Sequence, residues 1–141
     1  MSERNAYTLF RKHFIQPLDR LDRIENLIGE GTPDLNLCLN GIELWIEFKQ
    51  PVEPKRSDTP LFGSNHRLTQ GQKNWIKRQV NANGRVYLLI APNKRWLLIH
   101  GRHADMVNEA SIFTLISFAE WHTATPIHKV EWSRLRERLL Q

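Results

Sequence analysis

The 141-residue chain is expected to fold as one α/β domain, a mixed sheet flanked by helices. Three observations predict this. Apolar residues recur at three-and-four spacing near the amino terminus, in a central segment and at the carboxy terminus. Short leucine- and isoleucine-rich runs lie between them, and an Asn-Gly pair joins two of those runs as a hairpin turn. The order is helix, hairpin, helix, strand, strand, helix. A 40% hydrophobic content with five tryptophans supplies one packed core.

The first helix is read over Ser2 to Phe14, where Ala6, Leu9, Phe10, His13 and Phe14 share a face and Pro17 lies just beyond. From Leu18 to Ile28 two readings stand. Leu18, Leu21, Ile24 and Leu27 keep a helical rhythm, while Pro17, Gly29 and Gly31 frame an extended stretch equally well. Hairpin strands follow at Asp34 to Leu39 and Ile42 to Lys49, then the loop "PVEPKRSDTPLFGSNH", expected to be mobile without nucleic acid. Thr69 with Gln72 three residues on is a capping box, opening a helix that buries Trp75, Ile76 and Val80 and stops near Asn83-Gly84. "RVYLLIAP" and "RWLLIH" read as buried strands. The tail holds a second Ser-x-x-Glu signal at Ser117 to Glu120 and a last amphipathic helix from about Lys129, with Val130, Leu135 and Leu139 inward. The domain is thus one unit over 1–141, a core of about 3–100 and a helical C-terminal extension of about 101–141.

Composition narrows the function classes. One cysteine, Cys38, excludes an internal disulfide and a thiolate zinc cluster built from this chain alone. No signal-peptide core is visible, and no apolar run approaches the ~20 residues of a membrane helix, so a reducing, cytoplasmic setting is expected. Net charge is +5 with a sequence pI near 9.7, which suits a polyanionic partner. The excess is concentrated between Pro51 and Val80. There Lys55, Arg56, Arg67, Lys73, Lys77 and Arg78 face only Glu53 and Asp58, the pattern of a phosphate-tracking surface and equally of a solvated loop and helix face. The histidines show no HNH or HExxH spacing and read as structural. His66 and Arg67 reach phosphate only if their loop faces the nucleic acid.

The hairpin carries the chemistry. With Asn40-Gly41 as a two-residue turn, Leu39 faces Ile42, and counting outward sets Asp34 across from Glu47. Strand alternation puts Lys49 on the same face, with Trp45 and Cys38, while Leu35, Leu37, Leu39, Leu44, Ile46 and Phe48 point to the core. Opposed carboxylates repel. A hard divalent cation between them turns repulsion into ligation, and a lysine beside it can orient a water or stabilise charge on phosphorus. An ion pair of Lys49 with either acid on a solvated face accounts for the same residues without chemistry. Trp45 on this face implies partial cover by a helix or by the tail.

"GTPD", a twelve-residue gap and "EFK" resemble the active-site signature of the PD-(D/E)XK nuclease superfamily. The order and spacing of "RIENLIGEGTPDLNLCLNG", the "IEFK" strand and "LTQGQKNWIKRQVNANGRVYLLI" are similar to its virus-type replication-repair (VRR-NUC) branch and to phage Holliday-junction-resolvase-like proteins. The resemblance spans about Glu3 to Pro92. It implies a restriction-endonuclease-like mixed sheet with an αβββαβ-type core. It also implies Mg²⁺, with Mn²⁺ as substitute, on Asp34, Glu47 and the backbone carbonyl of Phe48; Lys49 as catalytic lysine; and Gln72 as the helix glutamine near the site, a role compatible with capping Thr69. Glu25 and Glu3 compete for the upstream acid. The implied activity is an endodeoxyribonuclease acting in replication, repair or recombination, leaving 5′-phosphate and 3′-hydroxyl ends on branched or structured DNA; from the charge pattern, Lys55, Arg56, Arg67, Lys73 and Lys77 are the expected DNA contacts. A homodimer follows if the substrate is a four-way junction, which needs two cuts. The alternative is a catalytically silent nucleic-acid-binding module of the same fold. The stretch from Gly101 to Gln141 and the 51–66 loop depart from the family pattern.

Overall fold

The computed structural model describes residues 3–24 and 31–141. Helix α1 (Glu3–Phe14) leads to strand β1 (Arg20–Arg23), then β2 (Leu35–Leu39) and β3 (Ile42–Lys49). Helix α2 (Gln70–Asn81) carries the chain to β4 (Val86–Ile90) and β5 (Arg95–His100). Two 3₁₀ turns, α3 (Ile112–Phe118), β6 (Trp121–Ala124) and α4 (Lys129–Leu140) complete the described elements. The six strands lie in sequence order in one sheet, antiparallel throughout except for the β3–β4 pair. That parallel pair requires a crossover, and α2 with its preceding loop supplies it.

Both turn residues of the hairpin are left-handed, Asn40 at φ 52° and Gly41 at φ 79°, which matches the twist of the strands it joins. The pairing of Leu39 with Ile42 through Leu35 with Ile46 is the expected register. Two cores follow from strand alternation. Leu35, Leu37, Leu44, Ile46, Phe48 and Leu89 pack with Phe10 of α1 and with Trp132, Leu135 and Leu139 of α4. On the other face Val86, Leu88, Ile90, Leu97 and Ile99 pack with Ile76 of α2, Leu115 of α3 and the loop residues Leu61 and Phe62.

The structure decides one open reading and departs from the sequence expectations elsewhere. The open segment contains a strand, β1, which pairs with β2; residues 25–30, the rest of that segment, lie outside the described residues. The Ser117 to Glu120 signal starts no helix. Ser111 caps α3 through the Thr114 N–H, Ser117 bonds back to the Thr114 carbonyl, and Glu120 is drawn to Arg102 and Arg138. Trp121–Ala124, not read as a strand, pairs with β5, so the carboxy-terminal segment adds an edge of the sheet as well as helices. Val130 is 53% exposed, because Trp132, Leu135 and Leu139 form the buried stripe and Val130 falls on the opposite side of the helix. Finally, the Pro-rich loop is anchored by buried Leu61 and Phe62, with the Leu61 N–H bonded to the Ala110 carbonyl.

The carboxy-terminal helix is locked to the segment after α1 by a paired fork. Arg136 donates two hydrogen bonds of 2.7 Å to Asp19, and both side chains are largely buried. The hydrogen bonds from Arg136 hold the Asp19 carboxyl below its ordinary range. Asp19→Asn leaves a buried guanidinium without its counter-charge and should cost about 3 kcal/mol in chemical unfolding at neutral pH. A depressed carboxyl stabilises the fold above its unfolded pKa and loses that contribution as pH falls through the folded value. The wild-type protein should therefore lose more stability than the variant between roughly pH 5 and pH 2; equal losses would show that the pair is not the acid-sensitive contact.

Candidate active site

Glu47 is the unusual residue of the sheet. It lies in β3 between Ile46 and Phe48, on the α2 side, and is only 3% exposed. Its carboxyl is pushed up to about 8, first by burial and then by the neighbouring Asp34, against the opposing pull of Lys49. Asp34 sits one residue before β2, half-buried. Its Oδ2 accepts a 3.0 Å bond from the Phe48 N–H, and its carbonyl accepts one from Ile24. The predicted opposition of the two acids is therefore present, with side chains on the same face in contact. Lys49 Nζ stands 3.5 Å from Glu47 Oε2 and is itself 12% exposed. The ion pair set against the catalytic reading is thus present, but on a largely covered face rather than a solvated one.

Gln72 reaches the same oxygen from α2. Its Nε2 donates to Glu47 Oε2 at 3.4 Å, while its Oε1 accepts from the Thr69 N–H at 2.9 Å and Thr69 Oγ1 accepts from the Gln72 N–H. One amide thus serves both the capping box and the acid pair, so the two roles read from sequence coexist. The helix start is held from two sides that sequence reasoning missed. Gly31, at φ +94°, lies so close to α2 that a Cβ there would stand 2.2 Å from the Gly71 carbonyl oxygen and 2.8 Å from the Gln72 nitrogen. Only glycine fits. The "GTPD" segment is thereby keyed to the "TQGQ" segment; the glycine in each motif was the available signal. From the other side, buried Asn108 accepts from the Leu68 N–H at 2.7 Å and donates to the Leu68 carbonyl at 3.0 Å. No local pattern marks Asn108, which lies forty residues away.

Trp45, two residues before Glu47, is covered as expected, and the cover is α2: its ring meets Trp75 edge-on at 5.1 Å. Trp75 is partly buried there. Cys38 is half-buried. Glu3 opens α1, and Glu25 lies outside the described residues.

The basic residues are less uniformly available than their count implied. Arg67 pairs with Glu109 and donates to the Asn108 carbonyl, Arg56 pairs with Asp58, and Lys77 pairs with Asp105 at 2.7 Å. Lys77, expected among the DNA contacts, is thus not free, because Asp105 comes from a distant turn. Lys55, Lys73 and Arg78 have no ion-pair partner among the described residues. No helix among the described residues is long and apolar enough to cross a membrane.

The donor set fits a hard divalent ion. Two adjacent acids, one of them held from ionising by burial and by the other's charge, are the arrangement that such a cation relieves. Among the described residues no third His, Cys, Asp or Glu joins them.

No family model and no curated relative matches the chain. Among solved structures, Hjc, a Holliday junction resolvase from Archaeoglobus fulgidus, is similar with a TM-score of 0.51, covering 82% of this chain and 88% of that chain at 15% sequence identity. At that identity the likeness establishes shared architecture: the chain has the restriction-endonuclease-like fold, a mixed six-stranded sheet flanked by helices.

Proposed function

We propose that the chain is a metal-dependent endodeoxyribonuclease that hydrolyses phosphodiester bonds in branched or structured DNA. The observation that carries this reading is the buried Glu47 beside Asp34, with Lys49 and Gln72 on the same carboxylate. A module that only binds DNA gains nothing from opposed acids. The resolvase-like fold supports the branched substrate. The order of the "GTPD", "EFK" and glutamine-helix segments supports the VRR-NUC branch.

Asp34, Glu47 and the Phe48 carbonyl would hold Mg²⁺ or Mn²⁺, which supplies Lewis acidity and neutralises phosphate charge. The chain's own residues do the rest. The Phe48 N–H fixes the Asp34 carboxylate, and the Gln72 amide fixes that of Glu47, so the acids are oriented before substrate arrives. The Lys49 ammonium, set beside Glu47, donates to the phosphate as negative charge grows during in-line attack by water. Cleavage of the P–O3′ bond then leaves 5′-phosphate and 3′-hydroxyl ends.

A panel of junction, flap, duplex and single-stranded DNA with Mg²⁺, Mn²⁺ or chelator tests this directly. Cutting of branched DNA that stops with chelator is expected, and no cutting of any substrate would overturn the reading. Asp34→Ala and Glu47→Ala should each abolish cleavage, but their effects on metal-free folding should differ. Glu47→Ala removes a carboxyl that resists burial. Asp34→Ala leaves the Phe48 N–H without its partner and should cost about 1 kcal/mol, readable by thermal unfolding.

Lys49→Ala should remove most cleavage while Mg²⁺ binding, followed by calorimetry, survives. Rates are to be compared at saturating DNA, because the lysine's charge also supports affinity. Lost Mg²⁺ binding would mean that Lys49 organises the acids rather than the reaction.

On the DNA path, Lys73→Gln should lower the logarithmic salt slope of duplex binding by about 0.9, the value for one phosphate contact. Lys77→Gln should lower it less, since Asp105 already holds that ammonium. An unchanged slope in the Lys73 variant would remove α2 from the DNA-binding surface.

A further inference from the structure

We propose that the cleft between α1 and α4, on the opposite face of the sheet from Glu47, is a second binding site that takes a nucleotide, base inward and phosphate at the mouth. A cavity of about 500 Å³ opens between the end of α1 and the first turns of α4. A smaller one of about 210 Å³ adjoins it, the two sharing His13, Ile127 and Trp132 as walls. The combined space lies in the range of about 300–1,000 Å³ typical of small-ligand sites.

The two parts differ in chemistry. The inner cavity is walled by Leu9, Trp96, Pro126 and Trp132. Trp132 meets Trp96 edge-on at 5.4 Å, and its own face is stacked by the His13 ring at 5.9 Å and 16°. The His13 side chain that covers this face is exposed, so a base stacks on Trp132 by taking the place of the His13 ring. The outer cavity carries Lys12, His13, Lys129 and Arg136, and no carboxylate lines either part. Asp19 satisfies Arg136, but Lys12 and Lys129 are exposed and without an ion-pair partner among the described residues. Two unpaired ammonium groups at the mouth of an aromatic slot suit a phosphate carried on a planar base. The sheet separates this site from the acid pair, so its occupant is not the phosphodiester held at Glu47. The assignment stands whether or not the chain cuts DNA.

The test uses the full chain in chelator, titrated with deoxyadenosine 5′-monophosphate, deoxyribose 5-phosphate and inorganic phosphate, read by calorimetry and by the indole N–H NMR signals. The nucleotide should bind and shift the Trp96 and Trp132 signals while leaving Trp45 and Trp75, on the other face, unmoved. It should bind at least about tenfold more tightly than the sugar phosphate, a margin that base stacking readily supplies. The double variant Lys12→Gln and Lys129→Gln changes only exposed side chains and should weaken the nucleotide about tenfold or more. A 5′-phosphorylated trinucleotide that binds more tightly than the monophosphate would assign the site to a DNA strand end; equal affinity would assign it to the free nucleotide. Equal binding of all three phosphate compounds, shifts confined to Trp45 and Trp75, or an affinity unmoved in the double variant would each overturn the proposal.

Discussion

The structure is organised around a carboxylate in the wrong place. Glu47 occupies a sheet position where its neighbours in sequence are core residues, and Asp34 stands against it. Removing an ion from water costs several kcal/mol, and a like charge alongside adds to the cost. The fold does not relieve this by exposing the acid. It instead brings Lys49 and the Gln72 amide to one oxygen of Glu47 and the Phe48 N–H to Asp34. These contacts orient the acids but do not offset the burial, and burial followed by the nearby Asp34 pushes the Glu47 carboxyl up despite the pull of Lys49. A structural hairpin would have apolar residues here and be more stable for it.

Fixing the acids makes the start of α2 a second constraint. Gln72 can reach Glu47 only if the first turn of α2 is held in depth and rotation, and three contacts do so independently. The Thr69 capping box sets the rotation, the Gly31 approach to Gly71 sets the depth, and Asn108 clamps Leu68 just outside the helix. Asn108 comes from the carboxy-terminal third, which by sequence departs from the nuclease core. That segment therefore supports the site mechanically. It also closes the opposite core through Trp132, Leu135 and Leu139.

What could be read in advance divides along a physical line. Features set by local geometry were legible: the Asn-Gly turn fixed the register, period-two alternation put Glu47 and Lys49 on one face, and the Thr69 box placed the start of α2. Features set by tertiary partners were not. Ser117 and Glu120 carry the right spacing for a cap, yet each found a better partner elsewhere. Val130 fits a helical stripe until Trp132 is seen to take the core. Leu18 to Ile28 kept two rhythms at once, and β2, which offered an unpaired edge, decided for strand at Arg20–Arg23. The pairing of Lys77 with Asp105 and of Arg67 with Glu109 joins residues far apart in sequence, beyond the reach of any spacing rule.

Those last pairs alter how the positive charge acts. Within 51–80 the formal excess is four, but Asp105 and Glu109, from outside that segment, sit against two of its cations. Arg95, also from outside, offsets Glu53 in return, so the local excess falls from four to three, and the attraction for phosphate near the acids falls to residues such as Lys73 and Lys55. The remaining field is spread over the molecule. On α4 and its partner face, Lys12 and Lys129 have no ion-pair partner among the described residues, while Arg136 and Arg138 are spent on Asp19 and Glu120. Charge that is unpaired at the surface costs the fold little and buried charge costs it much. The free ammonium groups are thus the ones available to a polyanion, and they lie on both faces of the sheet.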